Sequence, residues 1–166
     1  FVGKEIVDFT RRIFPLSEKR EDTYIGGLSM GGFGALRLGS LNHRTFGKLF
    51  SLSGAFIIDN IAGRKDGYRD EIADYDYYVR TFGNLDHLKD TEKDPLYCVK
   101  KAVAQNDMPE VYQAVGTEDF LIKENRMMRE ALEKEGVKLT YHESEGIHDW
   151  SFWNEYLPKA VEWLIG

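Results

Sequence analysis

The feature that most constrains this chain is the junction between Thr23 and Leu41. A short β-type run, Thr23-Tyr24-Ile25, passes straight into Gly26-Gly27-Leu28-Ser29-Met30-Gly31-Gly32, and Phe33 to Leu41 then reads as a helix. A strand that turns into a helix across small residues has to fold that helix back over its own sheet, which makes this a βα unit. The same grammar continues downstream. Lys48–Ser53 and Val111–Val115 are strand candidates ended by Gly54 and Gly116, and Ile122–Glu135 is a helix with Ile122, Met128, Ala131 and Leu132 inward and Gly136 as its stop. Val137, Leu139 and Tyr141 alternate with Lys138, Thr140 and His142, the mark of a half-covered strand. A last helix carries Trp153, Leu157, Ala160, Val161 and Leu164, and an opening one sets Val2, Ile6, Phe9 and Ile13 on one face before Pro15 ends it. Strands alternating with helices predict an α/β fold, a mostly parallel sheet flanked by helices. No internal repeat or linker divides residues 1–166, so one domain is expected. Residues 55–109, with a helix near Leu96–Ala104, are too long for a plain connection and read as an insertion over the loop-bearing end of the sheet.

Composition removes several classes of function. The 166 residues carry 22 basic and 28 acidic side chains, net −6, and no basic block longer than Lys100-Lys101. A nucleic-acid or anionic-membrane surface is not expected from that balance. No apolar run approaches the roughly 20 residues of a membrane span. Cys98 is the sole cysteine, which excludes an intrachain disulfide and a multi-cysteine zinc site. It fits a reducing, cytoplasmic setting, with secretion left open. The acidic run Asp66-Gly67-Tyr68-Arg69-Asp70-Glu71 does not have the spacing of a calcium loop and reads as a solvated face; no metal site is expected.

Gly27-Leu28-Ser29-Met30-Gly31 matches G-x-S-x-G in the one context that gives the pattern a mechanism, between a strand and a helix. Composition alone would produce the pentapeptide in roughly 6% of such chains, so the context decides. The turn is sharp and strained and lifts the Ser29 Oγ above the sheet edge. Side chains at Gly27 and Gly31 are expected to collide with backbone. The helix start behind Ser29 directs N–H groups, that of Met30 first, at an oxyanion. A phosphate cradle is excluded by spacing, since neither G-x-x-x-x-G-K-[ST] nor G-x-G-x-x-G occurs.

A nucleophilic serine needs a base, and the base an orienting acid. His43 falls in a polar turn and His87 in the irregular segment. His148, in the loop after the last strand, is at the same sheet end as Ser29 and is the expected base; His142 is the fallback. Glu118 and Asp119 both follow the third strand and both suit the acid, whereas Asp149 is poorly placed to reach the far side of the His148 ring. Phe56, Tyr75, Tyr77, Tyr78 and Trp150 are candidate pocket walls, with Phe56 and Trp150 foremost.

With these residues assembled, the chain resembles the esterase D-like branch of the α/β-hydrolases: tributyrin esterases, S-formylglutathione hydrolases, feruloyl and acetyl-xylan esterases and mycolyltransferases. The resemblance rests on Gly27-Leu28-Ser29-Met30-Gly31-Gly32, Gly116-Thr117-Glu118-Asp119-Phe120-Leu121, and Gly146-Ile147-His148-Asp149-Trp150-Ser151-Phe152-Trp153, with Phe82-Gly83 and Asp94-Pro95-Leu96-Tyr97 in the pocket-side segment. It covers essentially the whole chain and implies Asp119 as the acid. It implies a serine carboxylesterase acting on short-chain or aryl esters through an acyl-serine, with no cofactor; acyl transfer to an alcohol and a catalytically silent module are the alternatives. Family domains carry several strands before the serine turn. The resemblance therefore implies that this chain is the C-terminal part of the fold, that a second oxyanion donor lies outside it, and that a second chain carrying the earlier strands is an expected partner. The open strand edge would otherwise favour self-association.

Overall fold

In the computed structural model, which describes residues 1–166, four strands form one sheet: β1 (Tyr24–Leu28), β2 (Lys48–Leu52), β3 (Glu110–Gly116) and β4 (Leu139–Ser144). Their spatial order is β1-β2-β3-β4 and every pairing is parallel. Parallel neighbours need a crossover. Here the crossovers are α2 (Met30–Leu41), α5 (Pro95–Ala104) and α6 (Ile122–Lys134). Right-handed crossovers that step across a sheet in one direction put their helices on one face. The packing shows this: Phe33 and Leu36 of α2, Val99 of α5, and Met128 and Leu132 of α6 share one buried cluster with Leu49 and Val111. The other face is covered by α7 (Trp150–Ile165), whose Phe152, Trp153, Tyr156 and Ala160 pack on Leu52, Tyr112 and Ala114. Residues Val111 to Gly116 of β3 are all buried because both faces are covered, so β3 is a continuous inward run rather than an alternating one.

The remaining elements are α1 (Glu5–Ile13), α3 (Ile58–Ile61), α4 (Tyr75–Phe82) and single 3-10 turns at Arg20–Asp22 and Leu85–His87. Residues 55–109, expected as one insertion, contain two kinds of structure. Their last helix, α5, is the β2–β3 crossover within the helical layer, while 55–94 form an irregular excursion before it. Helix α1 carries Ile6, Phe9 and Ile13 of the expected stripe but starts after Val2, and all four side chains are exposed, with no α1 residue buried. In α7 the inward stripe runs through Tyr156 instead of Leu157 and Val161, which are exposed. Tyr156 wins because its ring stacks on Phe152 at 4.5 Å and its hydroxyl reaches Ser144 Oγ at 2.9 Å. No helix is long and apolar enough to cross a membrane.

Candidate active site

The turn after β1 is strained as expected. Ser29 has φ 53° and ψ −118°, a conformation that costs a non-glycine residue roughly 1–3 kcal/mol. Three backbone bonds hold it there: Ser29 N–H donates to Leu52 O at 2.8 Å, and Ser29 O accepts from Phe33 and Ala55 N–H at 3.1 and 3.0 Å. A Cβ on Gly27 would lie 2.5 Å from the Gly31 carbonyl carbon, so that glycine is required by the close return of the helix. The same expectation fails at Gly31. A Cβ there meets nothing within 4 Å, because the crowding points from position 27 at the backbone of 31 and not the reverse. Helix α2 begins at Met30, three residues earlier than the sequence pattern suggests, and the Met30 N–H in its first turn donates to no backbone carbonyl.

Three side chains from distant parts of the chain meet above this turn. His148 Nε2 lies 2.9 Å from Ser29 Oγ, and its Nδ1 lies 3.0 and 2.9 Å from the two carboxylate oxygens of Asp119. Asp119 leaves the end of β3 and His148 the loop after β4, so adjacent parallel strands deliver both to the edge where Ser29 sits. The imidazole is seated by aromatics, with the Phe120 ring 4.6 Å away and Trp153 edge-on at 5.0 Å.

Asp119 is only 1% exposed. Burial pushes its carboxyl up, but hydrogen bonds from His148, the Leu121 N–H (2.8 Å) and the Ser53 hydroxyl outweigh it and hold the group below the usual carboxylate value. Ser53 escaped the sequence reading. It is fully buried, has φ 48°, and its Oγ accepts a 3.1 Å hydrogen bond from Trp153 Nε1. The only signal in the sequence was a serine before the glycine that ends β2, which many strand ends share.

The other candidates have different duties. Glu118 is exposed and accepts the Gly146 N–H at 3.3 Å, bracing the loop that carries His148. Asp149 caps α7 by accepting the Ser151 and Phe152 N–H groups. His142 points outward beside the rings of Tyr112 and Tyr156. His43 is buried and paired with Asp107 at 2.9 Å, and His87 is exposed in its 3-10 turn.

Beside Ser29 lies an apolar cavity of about 120 Å³. Phe33, Ala55 and Ile57 line it from the body of the fold, Phe120 and Leu121 from the Asp119 loop, and Ile72, Tyr77, Tyr78, Thr81 and Phe82 from the excursion. Phe56 and Trp150, expected as walls, are not among them. The bond from Ala55 N–H to Ser29 O turns residues 55 and 57 to the cavity, and Phe56, between them, goes into the core against Gly54. Trp150 is mostly exposed, at 5.4 Å edge-on to Trp153. Tyr75 packs against the core, whereas Tyr77 and Tyr78 do reach the cavity. A larger depression of about 800 Å³ runs along α1 and shares no residue with this one.

The Esterase family model matches residues 1–164. The chain belongs to this esterase family. It is 47% identical over 165 residues to an acetyl esterase of Caldicellulosiruptor saccharolyticus, covering 99% of this chain and 62% of that protein. Among solved structures, it is similar to S-formylglutathione hydrolase from Staphylococcus aureus, with 31% identity and a TM-score of 0.82 over 98% of this chain and 61% of the other. A fluorophosphonate-binding serine hydrolase of Staphylococcus aureus aligns with 31% identity and a TM-score of 0.80, again over 98% of this chain and 61% of the other. The chain thus spans about three fifths of the length of the relatives it matches.

Proposed function

We propose that this esterase-family chain carries the catalytic groups of a serine carboxylesterase that cleaves short-chain esters through an acyl-serine. The observation that carries the reading is the continuous hydrogen-bonded line from Ser29 Oγ through both nitrogens of His148 to the Asp119 carboxylate, with every link between 2.9 and 3.0 Å. In this reading Ser29 Oγ attacks the ester carbonyl as His148 Nε2 takes its proton, and Asp119 holds the tautomer with Nδ1 protonated and offsets the imidazolium charge. The carbonyl oxygen gains the negative charge and the Met30 N–H donates to it. Collapse breaks the bond to the leaving alkoxide, which receives the proton from His148. Water, deprotonated by His148, then attacks the acyl-serine, and the acid leaves as Ser29 recovers its proton.

The cavity supports a small acyl group. At about 120 Å³ it lies well below the roughly 300–1,000 Å³ of sites for drug-sized ligands, and an apolar cavity of about 150 Å³ takes benzene. An acetyl esterase relative is in keeping with that size. The test is treatment with a fluorophosphonate and localisation of the adduct by peptide mass spectrometry, alongside p-nitrophenyl acetate turnover. The adduct is expected on Ser29, with labelling and turnover both lost in Ser29→Ala. An adduct on any other residue overturns the assignment.

A further inference from the structure

The acidic run at 66–71 reads from sequence as solvent-facing charge, and Asp66 and Glu71 are indeed exposed. Asp70 is not spent that way. Its Oδ1 accepts the Ile72 and Ala73 N–H groups, both at 2.9 Å, and the Tyr78 hydroxyl at 2.8 Å. Its Oδ2 accepts the Tyr68 and Tyr78 hydroxyls, both at 3.0 Å. Burial pushes the carboxyl up, yet these bonds together keep it below its ordinary value. Around the carboxylate the chain doubles back, with a bridge between Arg69 and Asp74 and a 2.9 Å bond from Tyr75 N–H to Tyr68 O.

What this knot secures is part of the cavity beside Ser29. Ile72 and Tyr78 both line that cavity, one from the turn and one from α4. Ile72 is 43% exposed, so hydrophobic burial does little to fix it, whereas Tyr78 is 1% exposed and anchored in the core. Asp70 joins the two: it ties the exposed wall residue to the buried one.

We propose that Asp70 is a positioning residue which, by clasping the Ile72 turn to the Tyr78 hydroxyl, holds the cavity wall closed and limits the length of acyl chain the site admits. This rests on the acyl-serine reading above. Asp70 touches no reacting atom, so its loss should alter selectivity and not the chemistry at Ser29.

The experiment compares kcat/KM for p-nitrophenyl acetate and p-nitrophenyl hexanoate in the parent chain, Asp70→Ala, Asp70→Asn, Tyr78→Phe and Ile72→Ala, with Ser29 labelling by a methyl fluorophosphonate as the count of active sites. The hexanoate-to-acetate ratio is expected to rise about tenfold in Asp70→Ala and Ile72→Ala, in line with what one or two methylenes are worth in an apolar pocket. Asp70→Asn keeps an acceptor for both N–H groups and should restore most of the parent ratio. If Asp70→Ala does not fold, Tyr78→Phe decides, since it keeps the ring and removes only the hydroxyl. A ratio unchanged in Tyr78→Phe and Ile72→Ala, or an equal fall for both esters, overturns this proposal while labelling at Ser29 leaves the acyl-serine reading standing. Failure of the parent chain to label at Ser29 overturns both.

Discussion

Burial opposes the ionised form of Asp119 and its three hydrogen-bonding neighbours outweigh that, each in a different way. His148 is the group being oriented, Leu121 N–H belongs to the loop, and Ser53 is itself anchored by Trp153. Asp119→Asn keeps the shape but favours the wrong tautomer of His148, and should lower kcat on p-nitrophenyl acetate by about 10⁴. Ser53→Ala removes one donor of several; a loss of about tenfold is expected, from roughly 1–2 kcal/mol of lost hydrogen bonding, with KM unchanged in the same assay. The two glycines of the turn make a sharper contrast. Gly27→Ala drives a methyl into the backbone of Gly31 and should lower Tm by several degrees, whereas Gly31→Ala enters open space in a helix and should leave Tm unchanged or raise it by about 2–4 °C through helix propensity. At this scale the pentapeptide, His148 and the Glu118-Asp119 pair were legible because each sits at a strand end that the hydrophobic pattern marks, and the family resemblance chose Asp119 from the pair. Ser53 and Asp70 were not, because a polar side chain engaged inside the fold announces itself only through the partners the fold brings to it.

Among the elements, α6 and α7 hold the site loops in place through their first turns. Asp149, next to the expected base, is the N-cap of α7; Asp149→Ala should cost about 1 kcal/mol in urea unfolding and loosen the His148 loop, read as a lower kcat with the fold retained. In α6, Asn125 is fully buried and donates to Gly54 O and Leu121 O at 2.9 Å, while its own carbonyl groups accept from Gln113 Nε2. It stitches β3 to the loop that follows β2. Asn125→Ala leaves the Gly54 carbonyl without its partner in the core and Gln113 Nε2 with only the residue-125 backbone carbonyl, and a loss of about 2 kcal/mol is expected by the same measurement. Periodicity located both helices. It missed their inward faces where an aromatic stack, as at Tyr156, or a polar network, as at Asn125, outweighed simple apolar count.

Over the whole molecule, the charge ledger predicts how the fold responds to acid. Asp119, buried, and Asp70, partly buried, both well supplied with donors, and Glu143, hydrogen-bonded by Arg126 and Tyr141, all lie below their ordinary values. A carboxyl depressed in the folded state contributes stability above its unfolded value and loses that contribution as pH falls through the folded one. The urea midpoint should therefore be flat near neutrality and fall below about pH 4, and Asp119→Asn should fall less steeply over that interval. The all-parallel order explains why one loop edge collects the site: each strand exits in the same direction, so every β-to-α turn opens on the same side.

From its residues alone the chain specified an α/β alternation, a strained serine turn and the two strand ends that supply its partners, because those depend on local periodicity and small-residue punctuation. Strand order, the partners of Asp70 and Ser53, and the exchange of Phe56 and Trp150 for Ile57, Ile72 and Thr81 around the cavity were decided only in three dimensions. Those choices depend on which groups, remote along the chain, arrive within hydrogen-bonding or packing distance, and no local pattern encodes that.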